Sequence, residues 1–268
     1  MKKQIFALFG LLNVVCVAFA EEGNRHKFSY DVFSNGKDIG DVRVYMEDIQ
    51  NGGFHIIEQT EIQTDGLWKK SSISSMKTEQ FSRDGDFIHS DSKVFDGRSA
   101  HWLWVDAKNQ NTDVFYAEVN KLSEDELTGL GNVFSSVSLS ASQLMLQSQS
   151  LFKKRIINFQ GTRYPQKSFD TTLANFPRYS SGQQGDTLRV IRILDTENLA
   201  INTYNIEMVG LKKLVVHSKK IDCEVYVLQS DEKEVLELWI ARNEKDMPHF
   251  VQIKGQEKGD AYQIILKP

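Results

Sequence analysis

Hydrophobic and polar residues alternate along the first part of the chain, from Lys27 to about Val119. Positions 28, 30 and 32 of "KFSYDVF" are apolar, and positions 42, 44 and 46 of "DVRVYM" repeat the pattern. The turn signals "SNGKDIG" and "NGG" separate these segments, and Asn-Gly pairs favour tight hairpins. A period of two with short turns is typical of consecutive hairpins, so we predict an antiparallel meander.

Several of these segments are apolar on both of their alternating faces. In "AHWLWVDAK", residues 100–108, positions 101, 103 and 105 point one way while Trp102 and Trp104 point the other. In "VLELWIA" the leucines and isoleucine at 236, 238 and 240 share a face, and Trp239 lies on the opposite one. An antiparallel sheet commonly has one solvated face, so this pattern predicts that something covers each side of the sheet.

The period changes near residue 120. The segment "LSEDELTGLGNVFSSV" opens with a capping box, in which Ser123 is the N-cap and Glu126 follows three residues later. A second segment, 139–157, carries Leu144 and Leu151 at helical spacing. Residues 161–184 contain two prolines and many polar residues, so we predict a long connection there.

Alternating segments resume near residue 187, and the last three predict a second meander. We therefore predict a mainly β fold, a large curved antiparallel sheet (half-barrel) with a short helical insert in the middle of the chain. Residues 21–268 are expected to form a single β-rich domain, with the helical or loop insert at about 120–185. That length is sufficient for one domain with a sizeable core.

The first twenty residues, "MKKQIFALFGLLNVVCVAFA", have the features of a cleavable signal peptide. Two lysines precede an apolar run, and Ala-Phe-Ala forms a small-x-small cleavage site before Glu21. The run is short for a membrane span, so we do not expect an integral membrane protein. The layout is bacterial in style and predicts export to the periplasm.

The amino-acid composition limits the classes of molecule that the protein is expected to bind. Without the signal peptide the chain has 30 basic and 36 acidic residues, a net charge of −6, which argues against binding nucleic acid. Cys223 is then the one remaining cysteine, so no intrachain disulfide can form. Cys223 lies in an alternating segment and is predicted to be a buried core thiol.

The sequence contains no recognisable catalytic or metal-binding motif. The six histidines have no metal-ligand spacing, and no Gly-x-Ser-x-Gly or phosphate-binding glycine loop is present. We therefore predict no catalytic residue, no metal site, no cofactor and no enzymatic activity. Glycosidase carboxylates have no local signature, so an envelope-polymer hydrolase stays open as an alternative.

The two-sided strands predict either a cavity or a solid interior. A curved sheet with a helical plug can hold an acyl chain or a similar molecule, whereas a sheet that packs on itself leaves no space. For the cavity we predict that Trp102, Trp104 and Trp239 form the wall, and that Leu144 and Leu151 of the plug contact the ligand.

Three segments resemble a group of uncharacterised bacterial periplasmic proteins. They are "DVFSNGKDIGDVRVYM" at 31–46, "EIQTDGLW" at 61–68, and "LELWIARNEKDMPHFVQIKGQEKGDAYQIILK" at 236–267. In that group an "N-G-K-x-I-G" turn joins the first two strands, and an "E-L-W" strand leads into the final meander. The resemblance implies the half-barrel of the lipoprotein carriers LolA and LolB, a lipophilic cargo and no known catalytic residue.

The function predicted from the sequence is that of a periplasmic, non-enzymatic carrier of an apolar or amphipathic ligand, such as a lipid or a lipid-linked molecule. An alternative is a protein-interaction module of a cell-envelope or secretion assembly, in which an exposed aromatic face meets a protein partner. The envelope-polymer hydrolase is the second alternative.

Overall fold

The computed structural model describes residues 25–49, 52–65, 70–95, 100–108, 111–119, 156–165, 168–181, 190–195, 200–231, 234–242, 247–257 and 260–268. This part of the chain contains fifteen strands and one short helix. The first eight strands are β1 Arg25–Ser34, β2 Lys37–Asp48, β3 Phe54–Asp65, β4 Lys70–Phe81, β5 Phe87–Phe95, β6 Ala100–Lys108, β7 Asn111–Val119 and β8 Ile156–Pro165. The others are β9 Thr171–Thr172, helix α1 Phe176–Ser181, β10 Val190–Asp195, β11 Ala200–Val216, β12 Lys219–Ser230, β13 Val235–Ala241, β14 His249–Glu257 and β15 Asp260–Leu266.

All fifteen strands belong to one sheet that is not closed. The order across the sheet is β8-β7-β6-β5-β4-β3-β2-β1-β15-β14-β13-β12-β11-β10-β9. Neighbours are antiparallel except for β9 and β10, which run parallel. The first strand pairs with the last, with Val32 opposite Ile264. The predicted fold class, a large curved antiparallel sheet with a short helix in the middle of the chain, is confirmed.

The two edges of the sheet lie close together. Strands β8 and β9 are at opposite ends of the order, and a flat sheet of fifteen strands would hold them about 67 Å apart. Only residues 166–170 separate them along the chain, and such a connection spans at most about 22 Å. The sheet must therefore be rolled into a barrel-like shape. Val105 and Val114 accordingly pack on Leu194 of β10, across the seam between the two edges.

Tight turns at two hairpins help to set the register of the strands. Asn35 and Gly36 have φ values of 48° and 78° between Ser34 and Lys37, which are paired. These left-handed values match the hairpin turn whose twist suits the flanking strands. His217 and Ser218 do the same between β11 and β12, with φ values of 46° and 69°. The turn predicted from "SNGKDIG" is confirmed but is shorter than predicted, since β2 begins at Lys37. The second turn lacks the glycine that would have signalled it.

The rolled sheet has an inner face and an outer face, which the strand registers define. Residues directly opposite each other on paired strands share a face. The inner face carries Val105, Val114 and Leu238 and is the one on which α1 packs. Phe176 of α1 belongs to the same buried cluster as Leu238, and its ring meets that of Tyr226 edge-on at 5.5 Å. Alternate residues point to the outer face.

The middle of the chain differs from its prediction in two places. The stretch predicted as a connection, 161–184, contains the end of β8, the short strand β9 and the helix α1. A helix of six residues is too short to show a period in sequence, and Pro177 fits its first turn, where a proline is tolerated. The predicted helix 139–157 lies outside the described residues up to 155, and its last two residues begin β8.

Cys223 is buried on the outer face. It belongs to a cluster with Val216, Ala241 and Val251, as expected for a core thiol. Burial, with a smaller contribution from the charge of Asp222, raises the pKa of the thiol to about 11. The thiolate is the reactive form of cysteine, so the native protein should react slowly at neutral pH.

We expect Cys223 of the native protein to react with a disulfide reagent at pH 8 about a hundred times more slowly than in urea, because a pKa about two units higher leaves a hundredth of the thiolate. The rate should rise as the pH approaches 11. The measurement uses the chain that begins at Glu21, in which Cys223 is the single thiol. Leu211→Cys in a Cys223→Ser background supplies an exposed control thiol, and equal native rates would contradict the expectation.

Candidate functional site

The inner face encloses a cavity of about 590 Å³. The side chains that line it come from both halves of the chain, because the pairing of β1 with β15 brings the first strands beside the last ones. Most of them are apolar or aromatic. They include Val42, Val44 and Met46 of β2, Leu236, Phe250 and Ile253 of β13 and β14, Tyr262 and Ile264 of β15, and Tyr30, Leu173, Ala174, Ile193, Ile201 and Tyr204.

One side of the cavity is bounded by the segment that leads into α1. Leu173 and Ala174 line the cavity directly, and the segment is fixed to the sheet on either side of them. The Thr172 hydroxyl donates a hydrogen bond of 2.5 Å to Glu79 Oε2 of β4. Arg242 Nη2 donates one of 2.9 Å to Ser180 Oγ at the end of α1. These bonds hold β9 and α1 against the inner wall.

Three charged side chains stand together in the wall. Lys77 Nζ lies 3.3 Å from Glu58 Oε2 and 3.8 Å from Glu79 Oε1, so one ammonium group is shared by two carboxylates. The register places Glu58 directly opposite Lys77 on the paired strands β3 and β4. Glu79 is almost fully buried, and Thr172 satisfies one of its oxygens. An ion pair of this kind is strengthened by the low local dielectric.

Two buried hydroxyls lie on the same face beside these charges. Ser90 of β5 is opposite Glu79, and Ser92 is opposite Lys77. Both side chains are buried, and neither hydroxyl has a hydrogen-bond partner within the part of the chain that the structure describes. Buried polar groups in proteins usually have partners, so these two hydroxyls are an uncommon feature of the inner face, although neither lines the cavity.

Acidic side chains stand at another part of the cavity lining. Asp195 ends β10, Asp231 follows β12, and Glu234 precedes β13. The Tyr204 hydroxyl donates a hydrogen bond of 2.8 Å to Glu234 Oε2. Burial, together with the neighbouring carboxylate, raises the pKa of Tyr204, so that it remains a neutral donor. Burial likewise raises the pKa of Tyr30, whose hydroxyl donates to the Phe250 carbonyl at 3.1 Å.

The tryptophans predicted as ligand contacts lie on the outer face. Trp102 is buried, its Nε1 donates to Asp91 Oδ2 at 3.2 Å, and its ring lies 4.6 Å from that of Trp104. Trp239 is half-buried and donates to Glu237 Oε1 at 2.6 Å. None of the three lines the inner cavity. Their contact with a ligand stays a prediction, and the other two predicted contacts, Leu144 and Leu151, lie outside the described residues.

The polar residues of the cavity were not anticipated, although the sequence contained a signal for some of them. In β3 the apolar residues Phe54 and Ile56 are followed on the same face by Glu58 and Thr60. Polar residues that continue a buried apolar row are unusual enough to mark a candidate site. Asp195 and Asp231 carried no such signal, because they lie at the end of a strand or directly after one, where acidic residues are common.

Metal binding and membrane-spanning helices were two further properties to consider for the described residues. Among the described residues, no three His, Cys, Asp or Glu side chains are placed to hold a metal ion. No helix in the same part of the chain has the length and hydropathy required to cross a membrane.

Fold and cavity together define an open, barrel-like β protein with an internal, mostly apolar cavity. The chain is similar in structure to a β-barrel-like protein of a domain of unknown function, DUF1849, from Brucella abortus. The TM-score is 0.57 over 91% of this chain and 95% of that one, with 9% sequence identity, so the likeness concerns the fold alone. No protein-family model and no curated protein matches the sequence.

Proposed function

We propose that the protein is a periplasmic, non-enzymatic binding or carrier protein for an apolar or amphipathic molecule, such as a lipid or a lipid-linked molecule. The observation that carries this proposal is the cavity of about 590 Å³ on the inner face, whose lining is mostly apolar. Cavities that hold small molecules in proteins typically measure about 300–1,000 Å³ and combine an apolar lining with a few polar groups. The periplasmic location rests on the signal peptide predicted from residues 1–20.

The binding energy would come from removing apolar surface from water. Burial of apolar area contributes roughly 25 cal/mol per Å², before the loss of motion on binding is subtracted. Val44, Leu236 and Ile264 supply such surface inside the cavity. Three sequence segments resemble a group of uncharacterised bacterial periplasmic proteins, and that resemblance implies the half-barrel of LolA and LolB with a lipophilic cargo, which agrees with this lining.

The proposal is tested with the fluorescent probe N-phenyl-1-naphthylamine, which brightens in apolar sites. The protein should bind it, and Val44→Trp should weaken binding at least about tenfold, because the larger ring fills the cavity. Val215→Trp is the matched control, since Val215 is exposed on β11 away from the cavity. Absence of probe binding, or equal affinity in both variants, would refute the proposal.

The same assay separates the inner cavity from the outer-face tryptophans. Trp104→Phe removes an indole that stacks on Phe115 at 4.9 Å while keeping an aromatic ring. We expect this variant to bind the probe as the unaltered protein does. A loss of affinity in Trp104→Phe together with normal binding in Val44→Trp would move the site to the outer face.

A further inference from the structure

The charges around the cavity are unequal. Lys77 is the single cation among the described residues that line it. Five carboxylates share the lining with it, namely Glu58, Glu79, Asp195, Asp231 and Glu234. Most of the described residues in the wall are apolar or aromatic, and the charged residues among them are mostly acidic.

The one cation is already engaged. Lys77 lies within 4 Å of both Glu58 and Glu79, and its side chain is mostly buried between them. An anionic head group would have to compete with two carboxylates for this ammonium group and would be repelled by both. A cationic head group would instead be attracted, because Glu58, Lys77 and Glu79 together carry a net charge of −1.

The other carboxylates of the cavity also favour a cationic head group. Asp195 and Glu234 are half-buried, so their fields are less screened by solvent than those of fully exposed groups. Glu234 also accepts a hydrogen bond from the Tyr204 hydroxyl, and this bond orients the Glu234 carboxylate.

We propose that the cavity prefers amphiphiles with a cationic head group, an amine or ammonium on an apolar body, over anionic amphiphiles of the fatty-acid type. This inference rests on the proposed function, since it concerns the ligand class of the same cavity. The apolar lining takes the body of the ligand, and the carboxylates take its charged end.

The test compares three probes with the same twelve-carbon chain: dodecylamine, dodecanol and dodecanoate. Each displaces the naphthylamine probe from the purified protein at low salt and below its own micelle concentration. We expect dodecylamine to bind more tightly than dodecanol, and at least about tenfold more tightly than dodecanoate. The preference should shrink in 0.5 M salt as the charges are screened.

A variant assigns the preference to the cavity. Asp195→Asn, Asp231→Asn and Glu234→Gln together remove three negative charges, and the new Gln can still accept the Tyr204 hydrogen bond. This variant should lose most of the amine preference and bind dodecanol unchanged. Glu207→Gln and Asp222→Asn, both exposed and away from the cavity, form the control and should leave the preference intact.

The outcomes distinguish the two proposals. If none of the three probes binds, the proposed function fails. If dodecanol binds but dodecanoate binds as tightly as dodecylamine, the cavity exists and the charge preference is wrong. An amine preference that survives the triple variant and salt would also overturn the inference.

Discussion

Replacing Lys93 with methionine is expected to lower the free energy of unfolding by about 3–5 kcal/mol, the usual effect of removing one partner from a buried ion pair. The Lys93 ammonium contacts Asp91 Oδ1, and the two side chains are 0% and 1% exposed. The ammonium also lies 5.5 Å from the centre of the Trp102 ring. Methionine fills most of the lysine volume, so the loss reflects the buried charge left on Asp91 rather than an empty space.

Urea denaturation followed by tryptophan fluorescence measures this effect. The double variant Asp91→Leu with Lys93→Met removes both charges and should recover most of the lost stability, because buried pairs are often replaceable by apolar side chains. Lys213→Met is the matched control, since Lys213 pairs with Asp222 at 3.7 Å in an exposed position and should change stability by about 0–1 kcal/mol. A Lys93→Met protein as stable as Lys213→Met would contradict the expectation.

Replacing Leu238 with alanine is expected to lower the free energy of unfolding by about 2.7–5 kcal/mol, the range for leucines in well-packed cores. Leu238 of β13 is 0% exposed and lies in the inner-face cluster that includes Phe176, Tyr226 and Ile253. Removing its side chain leaves a void bounded by strands on both sides and by α1. The rolled sheet limits how far these elements can close on the void.

The matched control for this change is Leu211→Ala. Leu211 lies on β11, in the same sheet, but it is 78% exposed, so the same substitution should change stability by less than about 0.5 kcal/mol. Thermal unfolding of both variants gives the comparison, since in a chain of this size about 1 kcal/mol corresponds to roughly 2–4 °C in Tm. Similar Tm values for the two variants would show that the inner-face cluster is not the core of the fold.

Alternation of apolar residues was sufficient to predict most of the strands and their two faces, but not β4, β8 or β9. Leu238 and Ile240 share the inner face, and Trp239 lies on the outer one, as the period of two requires. The alternation did not predict which face of the sheet would become the inner, concave face. A strand with two apolar faces, such as β6, has no polar side to mark solvent, so the pattern did not show which of its faces lines the inner cavity.

The charged part of the cavity depends on long-range pairing. Glu58 and Lys77 meet because β3 and β4 form a hairpin in one particular register. Thr172 reaches Glu79, 93 residues earlier in the chain, because β9 contacts the inner face of β4, four strands in from β8 at the edge of the sheet. The residues between β8 and β9 contain no periodic signal for such a crossing. The local pattern therefore predicted most of the strands, whereas the contacts between distant strands could not be predicted from it.

The rolled sheet has an open seam between its edge strands β8 and β9, and this seam affects how its interior can widen. In a closed barrel every strand is hydrogen-bonded on both sides, so a wider interior breaks ladder hydrogen bonds. Here the seam is bridged by side chains, among them Leu194 against Val105 and Thr172 against Glu79. These contacts join β9 and β10 to the inner face of β4, β6 and β7, so they can separate while all strand pairings remain intact. Widening of the interior therefore requires side-chain contacts to part, and no strand has to unpair.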